Sequence, residues 1–156
     1  MADAGAARKN RRMRIERLVR RQSGRALPLV QAQYREHHIS LPARALVEAL
    51  RGLLPRRGAL LLATEAGADI GVAALSFTWT LERGGKVAWL DELYVVPGRR
   101  GEGIGRTLLR RALREARAQG CRALELEVVR GHGRAAHLYL REGFTDLRRN
   151  RYSRPL

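Results

Sequence analysis

The sequence predicts an α/β (α+β) domain built on a mixed, mostly antiparallel sheet flanked by helices. Three apolar runs follow one another with short turns between them, which indicates an antiparallel meander. The third run ends in a glycine-rich turn that leads directly into an amphipathic helix. A further strand pattern follows that helix, so we expect these two strands to be parallel, with a right-handed crossover.

The N-terminal elements precede the meander. Weak alternation predicts an edge strand over residues 15–20, and helical apolar spacing predicts helices over residues 26–37 and 43–54. Between the two helices, Ser40 is a suitable cap and Pro42 suits a first helical turn. We therefore expect one strand and two helices before the meander.

The meander is indicated by strand-like composition and by turn residues. Strands are predicted over residues 58–65, 70–81 and 87–96. Hairpin turns are predicted at residues 66–69 and 83–85, where small and flexible residues cluster.

The crossover and the C-terminal elements follow. A helix is predicted over about residues 103–119 and a strand over residues 123–129. A short helix is predicted over residues 134–141, and last strand segments over about residues 144–153. The sequence shows no internal repeat.

The composition favours one domain, over residues 13–156, in a cytoplasmic enzyme. The single Cys121 excludes an internal disulfide framework and a cysteine-based metal cluster, and we expect no metal site. No apolar run is long enough to cross a membrane, and the N-terminus lacks the apolar segment of a signal peptide.

The net charge of +16 raises the possibility of nucleic-acid binding. All basic residues except Lys9 and Lys86 are arginines, a skew that resembles coding bias as much as a selected basic face. The arginines are spread along the chain, and aromatic residues that could stack on bases are few. We therefore expect no specific nucleic-acid partner, although the charge still attracts anions at long range.

Residues 1–12 are predicted to form a disordered basic tail, because they carry no apolar periodicity. Two readings stay open. On the first, the stretch is a solvated tail or results from an early start codon, with Met13 as the true start; on the second, it is an arm that binds nucleic acid or a membrane surface.

The glycine-rich turn after the third meander strand is the centre of the functional prediction. Arg99 and Arg100 precede three alternate glycines, and a helix begins among them. Glycines allow close backbone approach, and the N-terminus of a helix attracts anions, so the turn predicts a phosphate site. A dinucleotide fingerprint fails at Arg106, where it needs glycine, and a P-loop fails at Ile104, where it needs lysine.

The run from Arg100 to Gly105 resembles the pyrophosphate loop of the GNAT superfamily of acyl-CoA-dependent N-acyltransferases. The preceding strand and the order of elements are also similar, over nearly the whole chain after residue 13. The resemblance implies a GNAT-like fold with a splayed parallel strand pair, and acetyl-CoA as cosubstrate. It implies cosubstrate contacts at Leu93, Tyr94, Val95, Arg100, Gly101, Glu102, Gly103, Ile104, Gly105, Arg106 and, in place of a frequent Asn, His132.

Tyr139 is the acid that the resemblance implies. Residues 135–144 are similar to the family segment whose tyrosine gives a proton or hydrogen bond to the CoA sulfur. The alternative is a half-buried core tyrosine. The family's frequent Asn is replaced by residues 131–133, so His132 either takes over that contact or adds a titratable group.

Asp91 and Glu92 are the adjacent carboxylates of the third meander strand and the candidates for activating an amine. Successive strand residues face opposite ways, so at most one of them faces the substrate. Their position resembles the acidic pair of the spermidine/spermine acetyltransferases, and on that pattern Asp91 is favoured. The alternative is a surface carboxylate paired with arginine, and Glu125 and Glu127 are the next candidates.

Three functions compete. The first is an N-acetyltransferase that moves the acetyl group to a primary amine of a small molecule or peptide by direct attack in a ternary complex. The second is a non-catalytic acyl-CoA-binding or sensing module of the same fold, and the third is a nucleic-acid-binding protein. His37 and His38 are either near the acceptor pocket or a surface pair. A homodimer is possible, and we expect no membrane partner.

Overall fold

The computed structural model describes residues 12–156. Two compact units are present, one reaching to Leu126 and the other comprising Glu127–Leu156. The five strands are β1 (Arg14–Arg17), β2 (Gly58–Glu65), β3 (Ala68–Thr80), β4 (Gly85–Val95) and β5 (Ala123–Leu126). The four α-helices are α1 (Leu27–Glu36), α2 (Ala43–Leu53), α3 (Ile104–Ala118) and α4 (Gly133–Arg141).

The strands form one sheet in the order β1-β2-β3-β4-β5. The first three pairings are antiparallel, and β4 pairs with β5 in parallel. The predicted mixed, mostly antiparallel sheet with a parallel pair is confirmed. The parallel pairing ends where Leu90 meets Leu126, whereas β4 continues to Val95, as expected for a pair that separates towards its end.

Helices cover both faces of this sheet. Leu29, Val30 and Leu46 of α1 and α2 pack with Leu60 and Leu62 of β2 in one apolar cluster. Helix α3 packs on the other face. A Cβ added to Gly71 of β3 would come within 3.0 Å of Leu108 in α3. Burial on both sides explains why β2 reads as a nearly continuous apolar run rather than as an alternating one.

A β-bulge interrupts the pairing of β3 with β4. Ala74 pairs with Glu92 and Leu75 pairs with Leu90, so Asp91 is the extra residue. Side-chain alternation along β4 is therefore reset at Asp91. An assignment of faces that assumes unbroken alternation does not hold across this point.

The predicted last strand over residues 144–153 is wrong, because no strand forms after β5 in the described chain. The segment carries a dense series of basic residues, most of its side chains are exposed, and Arg148 has a φ of 51°, which interrupts an extended backbone. Phe144 instead packs against the ring of Tyr139, with 5.6 Å between ring centroids.

Other predicted boundaries shift by a few residues. Strand β5 ends at Leu126 rather than at residue 129, and a 3-10 helix over Arg20–Ala26 precedes α1. The predicted tail lies outside the described residues except for Arg12. Among residues 12–156, no helix has the length and apolar character to cross a membrane.

Candidate functional site

A glycine loop joins β4 to α3. Gly101 and Gly103 have φ values of 84° and 82°, in the left-handed region that residues with a Cβ rarely adopt. Gly103 is the N-cap of α3, so the first amides of this helix, including those of Ile104 and Gly105, have no intrahelical acceptor. These amides and the helix dipole together can bind a phosphate group.

The two arginines before the glycines hold the loop in place. Arg99 donates to Glu102 of the loop and to Glu65 of β2, with 2.7 Å between Nη1 and Glu65 Oε2. Arg100 donates to Glu36 at the end of α1 and to the carbonyl oxygen of Val95. Arg99 therefore ties the loop to β2, and Arg100 ties it to α1 and β4.

Two tyrosine–glutamate hydrogen bonds cross between α1 and β4. Tyr34 of α1 donates to Glu92 of β4 over 2.7 Å, and Tyr94 of β4 donates to Glu36 of α1 over 2.9 Å. Glu92 and Tyr94 therefore share the face of β4 that is covered by α1.

The titration of Glu92 is perturbed by its surroundings. Burial raises the pKa of this carboxyl, the hydrogen bond from Tyr34 opposes the shift, and the charge of Asp91 adds to it. Burial and the bond to Glu92 also raise the pKa of Tyr34 well above the ordinary tyrosine value. Tyr34 therefore stays protonated at neutral pH and keeps donating.

The other candidate carboxylates lie in different environments. Asp91 is exposed at the bulge, whereas Glu92 is half-buried against α1. Glu125 forms an ion pair with Arg83, at 2.7 Å, and Glu127 forms one with Arg151. The preference for Asp91 depended on the resemblance to the spermidine/spermine pattern, and with the bulge it is Glu92 that lies on the face of β4 covered by α1.

Strand β4 also supplies an unpaired edge. Its pairing with β5 ends at Leu90, so in the described sheet the segment containing Leu93, Tyr94 and Val95 has no partner strand on that side. Arg100 takes the carbonyl oxygen of Val95, at 2.8 Å from Nε. The remaining backbone groups along this edge can serve a ligand.

Tyr139 and His132 belong to the second unit. Tyr139 lies in α4, is half-buried and meets the ring of Phe144 edge-on. His132 is the N-cap of α4, and its carbonyl oxygen accepts the first amides of that helix from Ala135 and Ala136. His132 therefore occupies the N-cap position through its backbone, and its side chain does not cap the helix.

Sequence reasoning missed Tyr34 and Glu36. Tyr34 follows Val30 by one helical turn on the side of α1 that packs against the core, and this spacing was the available signal. The two histidines that the sequence placed either near the acceptor pocket or at the surface come directly after Glu36. His37 follows the end of α1, and His38 is exposed with a φ of 56°.

Known acetyltransferases are similar to this chain. Aminoglycoside N(6')-acetyltransferase type 1 of Klebsiella aerogenes is 32% identical over 71% of this chain and 76% of its own length. Streptothricin acetyltransferase of Streptomyces lavendulae is 39% identical over 53% of this chain, and the match spans 42% of that protein. The matches do not single out the spermidine/spermine pattern.

Solved structures extend the likeness. An integron cassette protein from the mobile metagenome of Cole Harbour Salt Marsh has a TM-score of 0.80 and 26% identity, covering 91% of this chain and 90% of that one. The aminoglycoside N-acetyltransferase AAC(6')-Iy, solved with CoA, has a TM-score of 0.80, covering 95% and 97%. At 19% identity it supports the fold alone. Residues 25–144 match the model of the Acetyltransferase (GNAT) family, and the chain belongs to that family.

Proposed function

We propose that the protein transfers the acetyl group of acetyl-CoA to a primary amine of a small cationic molecule, by direct attack in a ternary complex. The observation that carries the proposal is the glycine loop at the start of α3, with the half-buried Glu92 on the strand that leads into it. Relatives named for acetylating streptothricin, aminoglycosides and thialysine support an amine acceptor.

The glycine loop and the free edge of β4 fit the cosubstrate. Gly101 and Gly103 have positive φ angles and no side chains, and a Cβ at either position would meet no heavy atom within 4 Å, so the space beside the loop is open to a ligand. The loop amides would hold the pyrophosphate, and the backbone of Leu93 to Val95 would hold the pantetheine and polarise the thioester carbonyl. Acetyl-CoA supplies the activated acyl group.

Glu92 would activate the amine. Its carboxylate attracts an ammonium group and accepts a proton from it, directly or through water, so that the nitrogen lone pair is free to attack the thioester carbon. Burial raises the pKa of Glu92 towards the working range of a general base. The hydrogen bond from Tyr34 fixes the orientation of the carboxylate.

Tyr139 would complete the reaction. As the new carbon–nitrogen bond forms, the carbon–sulfur bond breaks, and the departing thiolate takes the phenolic proton. This role depends on the sequence pattern around α4 and on the family to which the chain belongs.

The test is turnover of acetyl-CoA, read as free thiol, with streptothricin, an aminoglycoside, thialysine, an aminoalkylphosphonate and spermidine as acceptors. CoA should raise the melting temperature, because a ligand that binds only the folded state stabilises it. Turnover with at least one amine would support the proposal. CoA binding without turnover on any amine would favour the acyl-CoA-binding module instead, and failure to bind CoA would contradict both.

A further inference from the structure

Glu36 is the meeting point of three hydrogen bonds, although it lies outside the glycine loop. Nη2 of Arg100 is 2.9 and 2.8 Å from its two carboxylate oxygens. The hydroxyl of Tyr94 donates to it over 2.9 Å. Glu36 is the last residue of α1, so this cluster joins α1, β4 and the start of the loop.

The Arg100 side chain is fixed by further contacts. Its Nε donates to the carbonyl oxygen of Val95 over 2.8 Å, and its guanidinium group lies over the ring of Tyr94, 5.3 Å from the centroid. Nε and Nη2 therefore already bind protein groups, and the contact with the aromatic ring adds to these hydrogen bonds.

From this arrangement we propose that Glu36 is a positioning residue for acetyl-CoA binding. It acts through Arg100, and Arg100 anchors the loop to α1 and β4 rather than serving as a phosphate ligand. The inference rests on the proposed function, since it concerns the same cosubstrate loop. It assigns a role to a residue outside the family's loop pattern.

The loop needs such an anchor because of its glycines. Gly101 directly follows Arg100 and Gly103 comes after the intervening Glu102, and glycine loses more conformational freedom on ordering than any other residue. Fixing the residue before them narrows the conformations of the loop before any ligand arrives. Preorganisation of this kind improves affinity by lowering the entropy lost on binding.

The charge of Glu36 separates this role from its alternative. Burial opposes ionisation of Glu36, but the hydrogen bonds from Arg100 and Tyr94 outweigh it and lower the pKa of the carboxyl. Glu36 is therefore an anion beside a site for anions. If it acted only by charge, its removal would strengthen CoA binding, whereas loss of an anchor weakens it.

The experiment measures the CoA dissociation constant by titration calorimetry for Glu36→Gln, Arg100→Gln and the double variant. Glu48→Gln and Arg44→Gln, both exposed on α2, control for the change in charge. Binding by the wild type tests the proposed function, and the variants test the anchor separately. If the anchor acts as one unit, each single variant weakens binding by about threefold to tenfold and the double variant is no weaker than either.

Arg100→Lys sharpens the comparison. Lysine keeps the charge, but its single nitrogen cannot bind the Val95 carbonyl oxygen and Glu36 together, as Nε and Nη2 of Arg100 do. An anchor is therefore lost with lysine as it is with glutamine. A phosphate ligand, in contrast, tolerates lysine. In steady-state assays, Glu36→Gln should raise the KM for acetyl-CoA and leave kcat at saturation unchanged. Tighter CoA binding in Glu36→Gln, or full rescue by Arg100→Lys, would overturn the proposal.

Discussion

Replacing Gly103 by alanine isolates the backbone requirement of the glycine loop. Gly103 has a φ of 82°, and a Cβ built there would meet no heavy atom within 4 Å. The cost is therefore that of a left-handed backbone in a residue with a Cβ, roughly 1–2 kcal/mol. We expect Gly103→Ala to lower the free energy of unfolding by that amount, and Gly103→Val to lower it further.

Gly52 offers the matched control. It lies in α2 outside the left-handed region, and a Cβ there would also meet nothing within 4 Å. Gly52→Ala should raise the free energy of unfolding by roughly 0.5–1 kcal/mol, because alanine favours helix. The same methyl group, added in open space at two positions, is thus expected to change stability in opposite directions.

Urea unfolding followed by circular dichroism measures both variants. The melting temperature with and without CoA then tests binding. CoA should stabilise Gly52→Ala as it does the wild type and should not stabilise Gly103→Val, whose side chain would crowd the pyrophosphate. A Gly103→Val protein that folds and keeps the full CoA shift would refute the assignment of this loop, and unchanged stability in Gly103→Ala would refute the backbone argument.

Three further predictions concern the chemical step. Glu92→Gln should lower turnover by roughly 100-fold or more, the scale of general acid–base catalysis, while Asp91→Asn should do much less. Tyr34→Phe removes a hydrogen bond that favours ionised Glu92, so the pKa of Glu92 rises and the acid limb of the kcat/KM profile moves to higher pH. Tyr139→Phe should lower turnover by roughly 10- to 10,000-fold with little change in CoA binding.

Each of these predictions would be contradicted by a specific result. If Asp91→Asn is the slower of the two carboxylate variants, the exposed residue of the bulge activates the amine. An unchanged pH profile in Tyr34→Phe would mean that Tyr34 does not influence the pKa of the catalytic base. Normal turnover in Tyr139→Phe would make that residue a packing partner of Phe144.

Local patterns were sufficient for much of the fold. Helices α2 and α3 and the three meander strands follow from the period of their apolar residues, and the glycine loop follows from glycines before a helix. The absent last strand shows the limit of such patterns. A few apolar residues after Gly143 favoured an extended segment, but the surrounding positive charges and the left-handed Arg148 prevent a regular strand.

The contacts of the site were beyond sequence reasoning for a different reason. Tyr34 and Glu92 are 58 residues apart in sequence, and Glu36 and Arg100 are 64 apart. Periodicity indicates which side of α1 faces the sheet, but not which strand residue it meets there. The bulge added a second difficulty, because turn and strand propensities do not reveal an inserted residue within a continuous strand.

The bulge at Asp91 divides β4 into two segments, and the rule that assigns side chains to the faces of the sheet is reversed from one segment to the other. In a regular strand, Leu90 and Glu92 would share one face, because they are two residues apart. Here they pair with the adjacent residues Leu75 and Ala74, so their side chains leave the sheet on opposite faces. The same strand can therefore bury a leucine in the apolar layer on one side and present a carboxylate to α1 on the other. One added residue thus separates the part of β4 that packs in the core from the part that carries the proposed site.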